Sequence, residues 1–178
     1  NYLVRAIAML DSARKSIPEA YFYFLCIDTE SKSMMEKMNL ERVFIITLDD
    51  INDMELIATK KKRSQPEFSF TAKSAFLSYL TTRPEIKDGD ALVWTDADIM
   101  YFSSLEPLIK RMADAKQSIG ITSHRFPRGK AYMNEKVGRY NAGFVLFLLN
   151  KTSRACIAKW RRECIEWCYL RYEEDRLG

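Results

Sequence analysis

The stretch Gly89–Ser104, GDALVWTDADIMYFSS, places two carboxylates inside an otherwise apolar run. ALVWT, at residues 91–95, predicts a buried strand, and Asp96 and Asp98 follow it with one small residue between them. If the strand continued regularly, both carboxylates would lie on one face and repel each other unless a cation lay between them. Mn²⁺ or Mg²⁺, which prefer oxygen ligands, would meet that need. The alternative is a turn in which one aspartate caps a helix and the other is solvated.

Outward from this strand, the apolar pattern alternates between strand and helix along almost the whole chain. Strands are predicted at residues 21–28, 42–48, 91–95, 118–124 and 140–150. Helical spacing separates these runs, with one helix at 68–82 and a long amphipathic helix from 151 onward. The alternation predicts an α/β fold with a Rossmann-like, mainly parallel sheet flanked by helices, in a single domain over residues 1–178.

Carboxylates recur at the predicted strand ends. Four aspartates lie at predicted strand ends: Asp28, Asp49, Asp96 and Asp98. Ligands of open α/β sheets bind beyond the carboxyl ends of the strands. The predicted fold therefore gathers these four side chains at one edge of the sheet.

Composition excludes several classes of protein. The chain has 178 residues and a net charge of +4, which is too small to argue for nucleic-acid binding. Its longest apolar run, AGFVLFLL, is too short to span a bilayer. There is no glycine-rich phosphate loop, and a single histidine, His124, makes a histidine-rich zinc site a poor interpretation.

The four cysteines are interpreted as reduced thiols in a cytoplasmic protein. Cys164 and Cys168 are four residues apart and could share a metal ion. Together with Trp160 and Trp167 they also fit one apolar helix face, and core packing is the preferred interpretation.

Two further segments are candidates for ligand binding. Lys73 lies near the start of the helix predicted at 68–82, where the helix dipole also favours an anion, so a phosphate contact is predicted. A lysine that extends to solvent is the alternative. Asn141, Ala142 and Gly143 precede a strongly apolar strand, and small residues there would let a ligand approach the backbone. An ordinary turn into a strand is the alternative.

In this order, WTDAD, SIGITSHRFP, GRYNAGFVLF and the tryptophan-rich segment that runs to EEDRLG resemble the nucleotide-diphospho-sugar transferases of the GT-A fold. The chain is most similar to bacterial sugar transferases related distantly to glycogenin and to the lipopolysaccharide galactosyltransferases. The resemblance covers nearly the whole chain.

The resemblance implies a role for each matching residue. Asp96 and Asp98 match the metal-binding DxD motif, which holds Mn²⁺ or Mg²⁺ on the donor diphosphate. Other positions match the donor-binding segment: Asp28 at the nucleoside, Asp96 also at the ribose, Lys73 at the diphosphate or the sugar, Asn141, Ala142 and Gly143 along the sugar, and His124 near the cleft. Thr95 and Ala97, on either side of Asp96, are also expected to bind the substrate. No catalytic residue can be assigned.

The expected function is metal-dependent transfer of a hexose from a nucleotide-diphosphate sugar to a hydroxyl of a glycan, a lipid-linked or a protein acceptor. The expected location is the cytoplasm, with peripheral membrane association as an option. A metal-dependent nucleotidyltransferase and a non-catalytic nucleotide-sugar-binding module are the alternatives. The resemblance also leads us to expect that a first strand and a C-terminal acceptor segment with a third metal ligand lie outside these 178 residues.

Overall fold

Five strands form two separate sheets in the computed structural model of the chain, which describes residues 2–171 and 173. The strands are β1 (Phe22–Cys26), β2 (Val43–Thr47), β3 (Ala91–Thr95), β4 (Ile119–Ser123) and β5 (Tyr140–Leu148). β1 and β2 pair in parallel, with Phe22 opposite Val43 and Cys26 opposite Thr47. The other sheet is antiparallel and has the order β3-β5-β4.

The expected mainly parallel, Rossmann-like sheet is therefore wrong. The alternation rule assumes that each helix returns the chain to start a parallel strand, and among the described strands the β1–β2 connection is the one that does so. β5 instead runs antiparallel to β4, with Ile119 opposite Phe147. At the other edge of β5, Gly89 N–H donates to the Leu149 carbonyl at 2.8 Å, so the start of β3 lies beside the end of β5. Periodicity detects a strand but not its partner.

Eight helices accompany the strands in the described part of the chain. They are α1 (Leu3–Ser16), α2 (Thr29–Met38), α3 (Leu48–Ile51), α4 (Met54–Lys60), α5 (Gln65–Leu80), α6 (Glu106–Asp114), α7 (Met133–Val137) and α8 (Lys151–Glu166). None of the described helices is long and apolar enough to cross a membrane.

The chain folds into two compact units, each made of two stretches of sequence. The first contains Asn1–Asp53 and Thr95–Arg111, and the second contains Met54–Trp94 and Met112–Gly178. The single domain expected over residues 1–178 stays a prediction.

The first unit is built on the parallel pair of strands. Leu10 of α1, Cys26 at the end of β1 and Met35 of α2 form its buried cluster. α2 begins after Asp28, whose carboxylate accepts the Ser31 N–H at 2.7 Å and so caps the helix.

The second unit is organised around α5. This helix is buried on nearly every side, from Phe68 through Ala72 and Phe76 to Leu80, which explains why its sequence is apolar beyond one stripe. Ser64 and Glu67 form a capping box that starts the helix. α5 packs against α8, and the buried centre of β5, Val145 to Phe147, completes the core.

Candidate functional site

Lys73 is a buried lysine in the second unit. Its side chain belongs to α5, which begins at Gln65, so Lys73 lies in the third turn rather than the first. The interpretation from the helix dipole is therefore wrong, because that effect fades within the first turn. The alternative of a lysine extended into solvent is also wrong, since the residue is only 7% exposed.

Protein groups hold the Lys73 ammonium in place. Nζ donates to the Ala142 carbonyl at 3.1 Å and lies 5.0 Å from the centre of the Trp94 ring. The ring face attracts the cation, and Trp94 is itself packed edge-on against Phe76. Lys73 is thus a cation placed by the fold against one backbone carbonyl.

The Ala142 carbonyl, which accepts the hydrogen bond from Lys73, belongs to a bulge in β5. Ile121 of β4 lies opposite Val145, but the next residue, Thr122, lies opposite Asn141. No residue of β4 therefore lies opposite residues 142–144. Such bulges bend a strand and redirect its groups, and they are frequent beside functional sites. We call residues 141–144, Asn-Ala-Gly-Phe, the β5 bulge.

Asn141 fixes the shape of the β5 bulge from within. Its Oδ1 accepts the Gly143 N–H at 2.6 Å, and its carbonyl accepts the Thr122 hydroxyl at 3.5 Å. Asn141 remains exposed, and Ala142 and Gly143 are half-buried. The structure therefore joins two segments that the sequence analysis singled out separately, because Lys73 hydrogen-bonds directly to the middle of the Asn-Ala-Gly run.

His124 lies on the same strand pair. The backbone N–H of His124 donates to the Arg139 carbonyl at 2.9 Å. This hydrogen bond extends the β4–β5 ladder past Ser123 and Tyr140. The imidazole stacks on Phe126 at 4.9 Å between ring centres. Because residues opposite each other on paired strands share a face, His124 joins Thr122 and Asn141 on one face of this ladder.

The predicted metal ligands lie in the first unit and form a turn. β3 ends at Thr95, and the Ile99 N–H donates to the Asp96 carbonyl at 3.2 Å. Ala97 and Asp98 are the central residues of this turn, so the strand does not continue through the two carboxylates. The argument that both point to one face of a strand therefore fails. We call residues 96–99 the acidic turn.

The acidic turn is open to solvent at Asp98. The Asp98 side chain is 49% exposed, with Arg5 Nη1 3.9 Å from its carboxylate. The chain after the turn is anchored, because the Tyr101 N–H donates to the hydroxyl of buried Ser12 at 3.1 Å. Burial raises the pKa of Tyr101, and its hydrogen bond with Thr95 opposes that shift.

The residues of the acidic turn fit a hard divalent cation that keeps most of its water. Two carboxylates supply oxygen ligands, and the exposure of Asp98 leaves room for water and ligand oxygens around an ion. Within residues 2–171 and 173, no three His, Cys, Asp or Glu side chains are grouped so as to hold a metal. Two carboxylates alone would hold a divalent ion weakly, so water or a bound ligand would have to supply the other oxygen atoms.

Two other predicted residues lie at the starts of helices in the first unit. Asp28 caps α2 with both carboxylate oxygens, one on the Ser31 N–H and one on its hydroxyl. Asp49 lies in the first turn of α3, which Thr47 and Asp50 begin with a capping box. Asp28 and Asp49 follow the parallel strands β1 and β2, and helix capping explains the position of Asp28. Asp96 and Asp98 follow β3 of the other sheet, so the prediction that all four carboxylates lie at the edge of one sheet is wrong.

Sequence reasoning missed Trp94 and the bulge. The sequence indicates Trp94 only as part of a buried strand, because the contact between its ring face and Lys73 is tertiary. The bulge had a signal, because Asn-Ala-Gly interrupts an apolar strand with small residues. The segment 174–178, part of the quoted EEDRLG, lies outside the described residues.

Comparison with known proteins gives two distant relatives in Bacillus subtilis. The chain is 27% identical to the uncharacterized protein YfnD over 176 residues, covering 98% of this chain and 55% of YfnD. It is 23% identical to the uncharacterized protein YfnF, covering 99% of this chain and 59% of YfnF. No protein-family profile matches the chain. The chain therefore spans less than two thirds of the length of the curated relatives it matches.

Proposed function

We propose that this chain is the donor-binding part of a metal-dependent glycosyltransferase that moves a hexose from a nucleotide-diphosphate sugar to a hydroxyl acceptor in the cytoplasm. One observation carries the proposal: the buried Lys73 ammonium is fixed against the Ala142 carbonyl at the β5 bulge. A buried cation at a backbone segment of small residues suits an anionic ligand that approaches the main chain.

Each candidate residue then has a chemical task. Lys73 donates a charge-assisted hydrogen bond to a diphosphate oxygen and stabilises the charge that develops there as the glycosidic bond weakens. Asn141 offers an amide to the hydroxyls of the sugar, and Gly143 leaves space beside it. Asp28 and Thr95 serve the nucleoside, and His124 lines the approach to the sugar.

Asp96 and Asp98 would hold Mn²⁺ or Mg²⁺, and that ion would neutralise charge on the leaving diphosphate. The half-exposed side chain of Asp98 supports this assignment, because an ion held by two carboxylates would take its other ligands from water and the donor. These two residues bind and orient the ion, and neither moves a proton in the proposed reaction.

Binding measurements test the role of Lys73. Calorimetry would titrate nucleoside diphosphates and the matching nucleosides into the wild-type chain and Lys73→Met, with and without Mn²⁺. We expect Lys73→Met to weaken diphosphate binding about ten- to a hundredfold and to leave nucleoside binding nearly unchanged. Lys159→Met is the matched control, because Lys159 is 66% exposed and pairs with Glu163 in α8. Equal losses for both ligands would contradict the phosphate role.

Product analysis separates the reaction classes. Release of a nucleoside diphosphate together with a glycosylated acceptor supports the transferase, whereas release of pyrophosphate indicates a nucleotidyltransferase. Donor binding without turnover, in the longer natural protein as well, indicates a binding module.

A further inference from the structure

The connection between β4 and β5 carries a positive charge as large as that of the whole chain. Residues 124–139 contain five of the 28 Lys and Arg residues and one of the 24 Asp and Glu residues. The net charge of this segment is therefore +4, and the rest of the chain has equal numbers of positive and negative side chains. We call residues 124–139 the basic loop. Its cationic residues are Arg125, Arg128, Lys130, Lys136 and Arg139.

The fold gathers these charges at one end of the β4–β5 ladder. The His124 N–H donates to the Arg139 carbonyl at 2.9 Å, so the first and last residues of the basic loop meet. Between them, the Lys130 N–H donates to the Pro127 carbonyl at 3.0 Å and closes a turn, and α7 follows. Surface loops of this size whose ends meet are compact. The five cations are therefore confined to one region of the surface of the second unit.

The protein neutralises none of these cations within residues 2–171 and 173. All five are exposed, and none forms an ion pair with a carboxylate of the described residues. Other arginines of the second unit do have such partners, as in Arg154–Asp88 at 2.6 Å and Arg161–Glu55 at 2.8 Å. The basic loop therefore lacks the fixed donor geometry that selects one small anion, and it suits a broad anionic surface.

Exposed apolar side chains lie among the cations. Tyr132 is 53% exposed, and Lys136 Nζ lies 5.6 Å from the centre of its ring. Tyr140, directly after the basic loop, is 56% exposed, and the guanidinium carbon of Arg139 lies 5.8 Å from its ring centre. Tyrosine is enriched at membrane–water interfaces, where its ring lies among the lipid headgroups and its hydroxyl meets water. The combination of clustered cations with exposed tyrosines is typical of a membrane-surface contact.

The same contacts argue against a single-stranded nucleic acid as the partner. Proteins that bind such strands stack the bases on the faces of aromatic side chains. Here a cation already lies near each ring, Lys136 at Tyr132 and Arg139 at Tyr140. A lipid headgroup layer needs no open ring face, so the two tyrosines favour the bilayer.

We propose that the basic loop binds the surface of an anionic lipid bilayer and attaches the chain to it. Clusters of about four to eight Lys and Arg residues are typical of segments that bind anionic headgroups, and the basic loop lies within that range. The attachment is peripheral, because none of the described helices could cross a membrane. It requires neither a sugar donor nor a metal ion, so its test is independent of the proposed transferase activity.

Flotation with lipid vesicles tests the proposal. The folded chain is mixed with vesicles of phosphatidylcholine alone, or with about 30% phosphatidylglycerol, in about 0.1 M and about 0.5 M NaCl. We expect binding to the anionic vesicles at the lower salt concentration and at least about tenfold weaker binding at the higher one, because salt screens the headgroup charge. Little binding to phosphatidylcholine alone is expected. Equal binding to both kinds of vesicle, or none to the anionic vesicles, would overturn the proposal.

Paired charge variants locate the binding surface. Arg128→Gln combined with Lys130→Gln should weaken binding to the anionic vesicles about twenty- to thirtyfold, because each cation near such a surface contributes about fivefold. Lys61→Gln combined with Lys62→Gln is the matched control, since these exposed lysines lie in the same unit and the change in net charge is the same. We expect the control to bind within about twofold of the wild type. Equal losses in both double variants would show that net charge alone drives binding, which would overturn the proposal.

Folding is checked by thermal unfolding of each variant. All four substituted positions are exposed, so both double variants should unfold as the wild type does. A loss of vesicle binding in a folded variant then reports the surface itself.

Two further measurements separate a bilayer from a soluble polyanion. Tyr132→Ser should weaken vesicle binding severalfold at both salt concentrations, because salt does not screen the contribution of an apolar ring. A single-stranded DNA oligonucleotide, at the same concentration of phosphate groups as the anionic vesicles, should bind more weakly than they do. Tighter binding to the oligonucleotide, or unchanged vesicle binding by Tyr132→Ser, would overturn the assignment of a bilayer.

Discussion

The contact between Lys73 and the β5 bulge buries a charged group, whereas the acidic turn leaves one exposed to solvent. Lys73 is 7% exposed, and its ammonium is bound to the Ala142 carbonyl and faces the Trp94 ring. Asp98 is half-exposed, and Arg5 Nη1 lies 3.9 Å from its carboxylate. The first arrangement couples a charged group to the stability of the fold, and the second does not. Mutation of Lys73 should therefore lower the stability of the fold, whereas mutation of Asp98 should leave it nearly unchanged.

Lys73→Ala should have the largest effect on stability. It removes a buried side chain and leaves the Ala142 carbonyl without its ammonium partner, so we expect a loss of about 2–4 kcal/mol in the free energy of unfolding. Lys73→Met keeps most of the volume and should recover most of that loss. Urea denaturation followed by circular dichroism measures both. A loss under about 0.5 kcal/mol for Lys73→Ala would show that the lysine is not buried as described.

Asp28→Ala should cost about 1 kcal/mol, because the N-cap of α2 is lost. Asp28→Ser keeps a capping oxygen but removes the carboxylate, so it should unfold nearly as the wild type does. The pair of variants separates capping from a nucleoside contact. If Asp28→Ser folds normally yet loses nucleoside binding in calorimetry, the binding role stands beside the structural one.

Asn141→Ala should cost about 0.5–1 kcal/mol, since the lost hydrogen bond to the Gly143 N–H lies at an exposed position. Asn141→Asp keeps the acceptor oxygen and should retain the shape of the bulge. Thermal unfolding of the two variants gives the comparison, and backbone NMR shifts at Gly143 report the bulge directly. Equal shifts in both variants would mean that the side-chain oxygen does not shape this segment.

Asp98→Asn should have the smallest effect on stability, under about 0.5 kcal/mol, because the pair with Arg5 is exposed. Its effect on Mn²⁺ should be large, and we expect Mn²⁺-dependent donor binding to disappear in calorimetry. Asp114→Asn offers a matched carboxylate on α6 outside the acidic turn. Normal Mn²⁺ dependence in Asp98→Asn would remove the metal assignment while leaving the proposal for Lys73 intact.

Local sequence signals predicted the elements well and their arrangement poorly. All five described strands, β1 to β5, and the helix around Lys73 are predicted from apolar periodicity, which reports burial of a segment. Strand direction was not found, because it depends on which distant strand supplies the hydrogen-bond partner. For the same reason, the link between Lys73 and Ala142 could not be predicted, although both residues were named as candidates.

The acidic turn shows a different limit. The spacing of Asp96 and Asp98 is compatible with one face of a strand and also with a turn. The hydrogen bond from the Ile99 N–H to the Asp96 carbonyl shows that the segment is a turn. Aspartate is common in turns for its own conformational reasons. The spacing of Asp96 and Asp98 alone is therefore no measure of metal binding.

The interleaved construction of the two units has a consequence for synthesis on the ribosome. The first unit needs residues no later than Arg111, whereas the second pairs α5 with α8, which begins only at Lys151. α5 ends at Leu80, so about 70 residues separate it from α8, and at typical elongation rates of about 5–20 residues per second these take about 4–14 s to emerge. During that interval the apolar surface of α5 waits for its partner helix. Nascent chains stalled before α8 should accordingly recruit chaperones at α5, and release should follow once α8 has left the exit tunnel.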